Sequence, residues 1–502
     1  MAARTPGLAP RLTDLLPGLR LPRDAVVTGL CLDSRRCAPG DAFVALPGGS
    51  HDGRRHIAEA VARGCGAVIA EDRDFDALVT GPVAVPLARV ANLHRELSAI
   101  AGRFHGEPAA RLRISAVTGT NGKTTCSYLL GQLLALLGEP AAIIGTLGHG
   151  RVGEGREGFE ATGMTTPDAL ATQRILAGFV EQGVQVVAME VSSHSLDQYR
   201  VAALPFDTAI FTNLSRDHLD YHGTLAAYGA AKARLFKWPG LRHAVINADD
   251  PFGRQLLADL PAGVDAIGYG LSTAAAVRVG DVTFGHGGVS ARVFTPWGEG
   301  LLRSPLLGEF NLANLLAVVA AACAQGHPLA RVLALVPALR PVTGRMEVVD
   351  PGAAPQVVVD YAHTPDALEK ALLALRRHCA GRLWCVFGCG GDRDPGKRPE
   401  MGAIAARLAD GIVVTSDNPR SEPPGAIIDA ILAGIPAAAG ALAEPDRRAA
   451  IAAAIAAAAP EDTVLIAGKG HEDYQLVGAE RLPFSDQAEA RLALRRRREV
   501  AP

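Results

Sequence analysis

Apolar residues recur along this chain in two rhythms: short unbroken runs, and longer stretches in which they return every three or four positions. The first rhythm predicts buried strands and the second predicts helices. Among the first hundred residues, the runs 42–46, 67–69 and 83–90 accompany a helical stretch over 57–63, a pattern that predicts a small α/β unit. An amphipathic helix over 93–104 then runs into Gly106-Glu107-Pro108. The proline disfavours helix at the residue before it and marks a boundary. From Leu112 onward, predicted strands at 143–144, 184–189, 208–212 and 244–247 alternate with helices, the last of them over 311–325. After a break at Arg340-Pro341-Val342-Thr343-Gly344-Arg345, a third series places strands at 357–360, 383–387, 411–415 and 463–467. Such alternation predicts parallel sheets with helical crossovers, whose ligands sit beyond the strand C-termini. The expected organisation is three α/β domains, 1–108, 109–340 and 341–502, without a repeat of solenoid length.

The most informative junction of the two rhythms is at residues 112–137. Leu112, Ile114, Ala116 and Val117 form an apolar lead-in, and Tyr128, Leu129, Leu130, Leu133, Leu134 and Leu137 follow at helical spacing. Between them lies Thr118-Gly119-Thr120-Asn121-Gly122-Lys123-Thr124-Thr125. A glycine loop between strand and helix lets backbone N–H groups approach a phosphate, while Lys123 supplies a point charge and Thr124 a hydroxyl ligand for Mg²⁺. The generic phosphate-loop pattern asks for glycine where Val117 stands. Carboxylates and imidazoles gather at two further predicted strand ends, in Glu190-Val191-Ser192-Ser193-His194 and in Asn213-Leu214-Ser215-Arg216-Asp217-His218-Leu219-Asp220-Tyr221-His222. Glu190 with Thr124 is a plausible Mg²⁺ pair. His218 and His222 are spaced four apart, but no Glu follows His218, so the zinc-protease motif fails.

Composition narrows the classes. The 502 residues are 48% hydrophobic with few aromatics, and 50 basic residues balance 52 acidic ones. Nothing global draws the chain to nucleic acid or an anionic membrane, so small-molecule partners are expected. The run Arg495-Arg496-Arg497-Arg498 reads as the capped end of a solvated helix. Eight cysteines without a C-x-x-C pair argue against a structural zinc or a disulfide framework and suit a reducing cytoplasm. Pro6, Gly7 and Pro10 interrupt any signal-peptide core, and no apolar stretch approaches a membrane span.

Taken in order, the segments 118–125, 190–193 and 213–222, with Asp360-Tyr361-Ala362-His363-Thr364-Pro365, resemble the Mur ligase family, the ATP-dependent amide-forming enzymes of peptidoglycan precursor synthesis. The resemblance spans almost the whole chain, and the departure at Val117 is one the family shares. It implies an N-terminal UDP-sugar-binding α/β domain, a central phosphate-loop ATPase domain on a parallel sheet, and a C-terminal Rossmann-like domain for the amino acid. ATP contacts carried over are Gly119, Thr120, Asn121, Gly122, Lys123, Thr124 and Thr125, with Asn311, Arg345, Asp360 and His363, a set that implies closure of the third domain on the second. The implied catalytic residues are Lys123, Glu190, His218 and Lys232. Lys232 matches the family's carbamylated lysine (N6-carboxylysine), which would join Thr124, Glu190 and His218 as a Mg²⁺ ligand. UDP-sugar contacts map onto Leu32, Ser34, Gly49, Ser50, His51, Thr165, Thr166, Ser192, Gln198 and Arg200. Taken singly, Ser34 or Gln198 also reads as a capping or surface residue.

Within the family the chain looks most like the ligases that add the third residue to UDP-N-acetylmuramoyl-L-alanyl-D-glutamate. Asp417-Asn418-Pro419-Arg420 resembles the signature of those accepting meso-diaminopimelate, with Arg393, Gly468 and Glu472 as further amino-acid contacts. A guanidinium can hold the second carboxylate of diaminopimelate through two parallel hydrogen bonds, and L-lysine lacks that carboxylate. The resemblance also implies a cytoplasmic monomer. The implied reaction is phosphorylation of the D-glutamyl carboxylate, then attack by the amine on the acyl phosphate.

Overall fold

The predicted alternation is realised as several sheets in a computed structural model, which describes residues 9–48, 51–153, 158–272 and 274–500. Contacts group the described residues up to Tyr269, with Ala320–Gly326, into one unit, and those of Gly270–Val319 and His327–Pro502 into a second.

In the first unit, β1 (Leu30–Cys31), β2 (Ala42–Ala45), β3 (Ala67–Glu71) and β4 (Leu87–Val90) make a parallel four-stranded sheet in chain order. The strand predicted at 83–90 is shorter because Pro86 offers no N–H to a ladder; its carbonyl instead receives Val68 N at 2.9 Å. A seven-stranded sheet follows, built from β5 (Arg113–Thr118), β6 (Ala141–Gly145), β7 (Gly148–Arg151), β8 (Val186–Glu190), β9 (Phe206–Phe211), β10 (His243–Asn247) and β11 (Asp265–Tyr269). Its order is β11-β10-β9-β5-β8-β6-β7, parallel except for the β6–β7 hairpin. The strand predicted at 184–189 starts later and includes Glu190, because Val184 N still closes the preceding helix on Phe179 O. Pairing of Val117 with Glu190 and of Thr118 with Phe211 brings three strand C-termini to one level. The helix Lys123–Leu136 packs on this sheet through Leu129, Leu130, Leu133 and Leu134, all buried.

The second unit opens with an antiparallel sheet that the strand–helix reading did not contain: β12 (Arg278–Gly285), β13 (Gly288–Thr295) and β14 (Gly298–Ser304). Its signal is local, in the glycine turns 285–288 and 296–298. Gly288 is required there: its φ is +114°, and a Cβ would stand 1.9 Å from Ser304 O. A six-stranded sheet comprises β15 (Glu347–Val349), β16 (Gln356–Asp360), β17 (Leu383–Phe387), β18 (Gly411–Val414), β19 (Leu442–Ala443) and β20 (Thr463–Ala467), in the order β15-β16-β20-β17-β18-β19. It is parallel apart from β15, and the hairpin of β21 (Tyr474–Val477) and β22 (Glu480–Pro483) follows it. All eight cysteines are free thiols, and among the described residues no helix is long and apolar enough to cross a membrane.

One buried ion pair ties this second unit together. Arg447 and Asp486, both completely buried, meet at 2.7 Å through Nε and Oδ1 and at 2.8 Å through Nη2 and Oδ2. Arg447 also donates to Ser416 O, just beyond β18, and to Ala467 O, at the end of β20. Arg447→Met is expected to cost roughly 3–5 kcal/mol, because it leaves a buried carboxylate unpaired. Urea denaturation measures this; a loss under about 1 kcal/mol, the worth of an exposed pair, would contradict it.

Candidate functional site

The glycine loop has the predicted place between β5 and its helix. Gly119 has φ +148° and Gly122 φ +85°. A Cβ on Gly119 would lie 1.9 Å from Thr212 Oγ1, so the loop is seated directly on the segment after β9. Further bonds fix it there: Thr120 N donates to Asn213 O at 2.8 Å and Asn121 N to Asn213 Oδ1 at 3.0 Å. Lys123 Nζ donates to the carbonyls of Gly119 (3.0 Å) and Thr120 (2.8 Å). Burial pulls the Lys123 pKa down, against the opposing charges of Glu190 and Asp217.

Glu190 stands at the end of β8, buried, and meets the hydroxyl expected of it. Thr124 Oγ1 donates to Oε2 at 3.0 Å, while Thr146 N donates to Oε1 at 2.7 Å. Thr146, whose hydroxyl also reaches Oε2 at 3.2 Å, is a participant that no motif had indicated. Gly145 is the residue that admits the carboxylate, since a Cβ there would come within 2.2 Å of Oε1. Burial raises the Glu190 pKa, offset in part by Lys123 and by these donors.

Lys232 is buried, and its Nζ donates to the same Gly119 carbonyl at 2.8 Å, 4.3 Å from the centroid of the Tyr228 ring. Burial, and then the charge of Lys123, lower its pKa to about 6. His218, with φ +52°, begins the turn Leu219–His222, and its ring lies edge-on to His194 at 4.9 Å. His194, quoted from the sequence without a role, also packs against Tyr221 at 4.3 Å and His222 at 5.4 Å. His222 itself hydrogen-bonds Ser193 Oγ at 2.9 Å, which accounts for it without a metal.

Lys123, His194, His218, Tyr228 and Lys232 line one cleft of about 340 Å³ together with Met164, Thr165, Thr166, Ser192 and Arg200. The residues assigned to triphosphate and to nucleotide sugar therefore share a wall. The sugar-side residues form one network. Thr166 Oγ1 donates to Glu190 O (2.9 Å) and accepts from Ser192 N (3.1 Å). Arg200 donates to Thr166 O (3.0 Å) and to Gln198 Oε1, and Gln198 reaches Tyr221 OH (3.1 Å). The hydroxyls of Thr165 and Thr146 lie 3.1 Å apart. Leu32, Ser34 and His51 lie in the region of the four-stranded sheet and do not line this cleft; Ser34 Oγ is engaged by Glu59 at 2.8 Å. Gly49 and Ser50 fall outside the described residues.

In the second unit, Asp360 ends β16, accepting from Met346 N (2.8 Å) and Ala362 N (2.9 Å), and burial pushes its pKa up. Arg345 stacks over the Tyr361 ring at 4.8 Å, and His363 Nδ1 hydrogen-bonds Tyr361 O. Asn311 is buried and donates to Leu307 O.

Beyond β17, β18 and β20 gather the residues that the resemblance assigns to the amino acid. Arg420 has φ +52°, unusual for a non-glycine residue. Its backbone is held by Leu476 O (3.1 Å) and by Gly478 N (2.7 Å). Its Nη1 donates to Gly391 O at 2.7 Å; among the described residues the guanidinium has no other hydrogen bond, leaving an edge for a carboxylate. A Cβ on Gly390 would lie 2.9 Å from Arg420 Nη1 and 3.7 Å from Arg393 Cγ, so both arginines flank one glycine. Asn418 Nδ2 donates to Glu472 Oε2 at 2.9 Å, and Gly468, with φ +119°, packs directly on Asp417. Pro419 links Asn418 to Arg420.

Three family models match: the Mur ligase family catalytic domain over residues 26–105, the Mur ligase middle domain over 117–322 and the Mur ligase glutamate ligase domain over 344–470. The UDP-N-acetylmuramoyl-L-alanyl-D-glutamate--2,6-diaminopimelate ligase of Pseudomonas aeruginosa is 55% identical over 473 residues, covering 94% of this chain and 96% of the relative. The ligase of the same name from Ectopseudomonas mendocina is 53% identical over 490 residues, covering 96% and 98%. A solved structure of a UDP-N-acetylmuramoyl-L-alanyl-D-glutamate--2,6-diaminopimelate ligase is similar with a TM-score of 0.77 at 36% identity, covering 98% of this chain and 100% of the other.

Proposed function

The chain belongs to the Mur ligase family, and on that premise we propose that it is an ATP-dependent ligase joining meso-diaminopimelate to the D-glutamyl residue of UDP-N-acetylmuramoyl-L-alanyl-D-glutamate. Its place is peptidoglycan precursor synthesis. The observation that carries the reading is the shared cleft, in which a phosphate-loop lysine and the nucleotide-sugar residues line one wall. The specificity rests on Arg420, whose guanidinium keeps an unused edge beside Arg393. The working division is into sugar-binding (1–108), ATP-binding (109–340) and amino-acid-binding (341–502) domains, acting as a monomer in the cytoplasm.

The D-glutamyl side-chain carboxylate attacks the γ-phosphorus of ATP, ADP leaves, and an acyl phosphate forms. Lys123 offsets charge on the transferring group, a largely electrostatic and positional contribution. The amine of diaminopimelate then attacks the acyl carbon, phosphate leaves from the tetrahedral intermediate with one former carboxylate oxygen, and the nitrogen gives up one proton to solvent to leave the neutral amide. Arg420 and Arg393 orient the amino acid through its carboxylate. The oxygens of Thr124 and Glu190, 3.0 Å apart, fit Mg²⁺, which prefers hard oxygen donors and supplies further charge neutralisation to the phosphates. Lys232 completes that donor set with His218 only if its nitrogen carries a carboxylate. With a pKa of about 6 its amine is a free base at neutral pH, able to bond to CO₂ with loss of one proton. Intact mass with bicarbonate retained is expected to show one added CO₂ in the native chain and none in Lys232→Ala; an unmodified mass for the native chain would contradict this.

Phosphate release from ATP with the UDP-linked dipeptide tests the reaction, comparing meso-diaminopimelate, L-lysine and no amino acid, with mass detection of product. Release and a tripeptide product with diaminopimelate alone are expected, since a site built to bind the second carboxylate rejects an analogue lacking it by about 10⁴ or more. Equal turnover with lysine would overturn the specificity, and release independent of any amino acid would overturn the ligase reading.

A further inference from the structure

Lys469 is a charged side chain with no exposed surface in the middle of the loops proposed to bind the amino acid. Its Nζ donates to Asn418 Oδ1 at 2.9 Å and to Glu472 Oε2 at 3.0 Å, and stands 5.6 Å from the centroid of the Tyr474 ring. Asn418 Nδ2 closes the triangle on the same Glu472 oxygen at 2.9 Å. Asn418 Oδ1 also accepts Leu476 N at 2.9 Å, which extends the triangle to the hairpin that pins Arg420. Burying an ammonium is costly unless its partners are well placed, and here the partners are two residues of the amino-acid site.

The distribution of donors on Glu472 is uneven. Oε2 receives both Lys469 and Asn418, whereas among the described residues no hydrogen-bond donor reaches Oε1. Two residues from Asn418, Arg420 offers a free guanidinium edge. A carboxylate acceptor and guanidinium donors carried by these neighbouring loops complement the ammonium and carboxylate of a zwitterionic head.

We propose that Lys469 is a positioning residue for amino-acid selection: by holding Asn418 and one oxygen of Glu472, it leaves the other oxygen as the fixed acceptor for an ammonium group of the incoming amino acid. The proposal rests on reading 417–420 and 468–472 as the amino-acid site. Lys469 itself does not touch the substrate. Its removal frees the Glu472 carboxylate to turn and leaves Asn418 with one donor fewer, so the loss falls on amino-acid binding and spares ATP.

The test is steady-state kinetics on Lys469→Met, Glu472→Gln and the double variant, with Arg420→Ala as the control for the site. Lys469→Met is expected to raise KM for diaminopimelate about tenfold or more, the scale of one lost hydrogen bond to a charged group, with KM for ATP and for the UDP-linked dipeptide little changed. Its effect should largely disappear in the Glu472→Gln background. Lys469→Gln, which keeps a donor without the charge, is read in the same way should the methionine variant not fold. An unchanged KM for diaminopimelate, an equal rise for all three substrates, or full additivity with Glu472→Gln would overturn the proposal. If Arg420→Ala raises KM for diaminopimelate while Lys469→Met does not, the positioning role alone fails. If neither does, the amino-acid-site reading fails with it.

Discussion

The carbonyl oxygen of Gly119 is the point on which the chemistry proposed for the first unit depends. It accepts Lys123 Nζ at 3.0 Å and Lys232 Nζ at 2.8 Å, which brings two lysine side chains to a single atom. Two ammonium ions so placed repel strongly in a poorly solvated interior. Burial and that repulsion hold Lys232 down to about 6, so it is mostly an amine at neutral pH. The local electrostatics therefore suit the proposed carbamylation of Lys232. The same glycine is irreplaceable on steric grounds, because any Cβ would collide with Thr212.

Around this carbonyl the sheet does the positioning. The register of β5 with β8 and β9 delivers Thr118, Glu190 and Phe211 to one edge, from which the glycine loop, the metal-ligand candidates and the histidine segment emerge side by side. Sheet-end placement explains how residues nearly a hundred positions apart share the hydrogen bonds of one loop. In the second unit the ends of β18 and β20 carry the two loops proposed to bind the amino acid, and Arg447 hydrogen-bonds both ends. Both candidate sites are thus built on strand ends held by buried polar contacts.

The glycine loop, the strand before it and the helix behind it were legible because their signals are contiguous: an apolar run, two glycines and a helical spacing of leucines. Glu190 and Thr124 were paired from motif chemistry, and the structure places them 3.0 Å apart. Thr146, His194 and Lys469 were not legible as participants, because each acquires its role only through a partner distant in sequence or through burial. The left-handed backbone of Arg420 had no sequence signal either, since it is imposed by the hairpin at Leu476 and Gly478. The antiparallel sheet of 278–304 was missed for a different reason: its strands are seven or eight residues long, but they mix polar and apolar positions between glycine turns and offer no unbroken apolar run.

The chemistry proposed for the cleft turns on one event, transfer of a phosphoryl group to the substrate carboxylate before the amine attacks. The most direct measurement uses UDP-linked dipeptide carrying ¹⁸O in the D-glutamyl side-chain carboxylate, with ATP and diaminopimelate, and mass analysis of the phosphate released. The account predicts one ¹⁸O atom in each phosphate formed with product. Phosphate without the label would mean that the carboxylate never accepted the phosphoryl group, and would contradict the account.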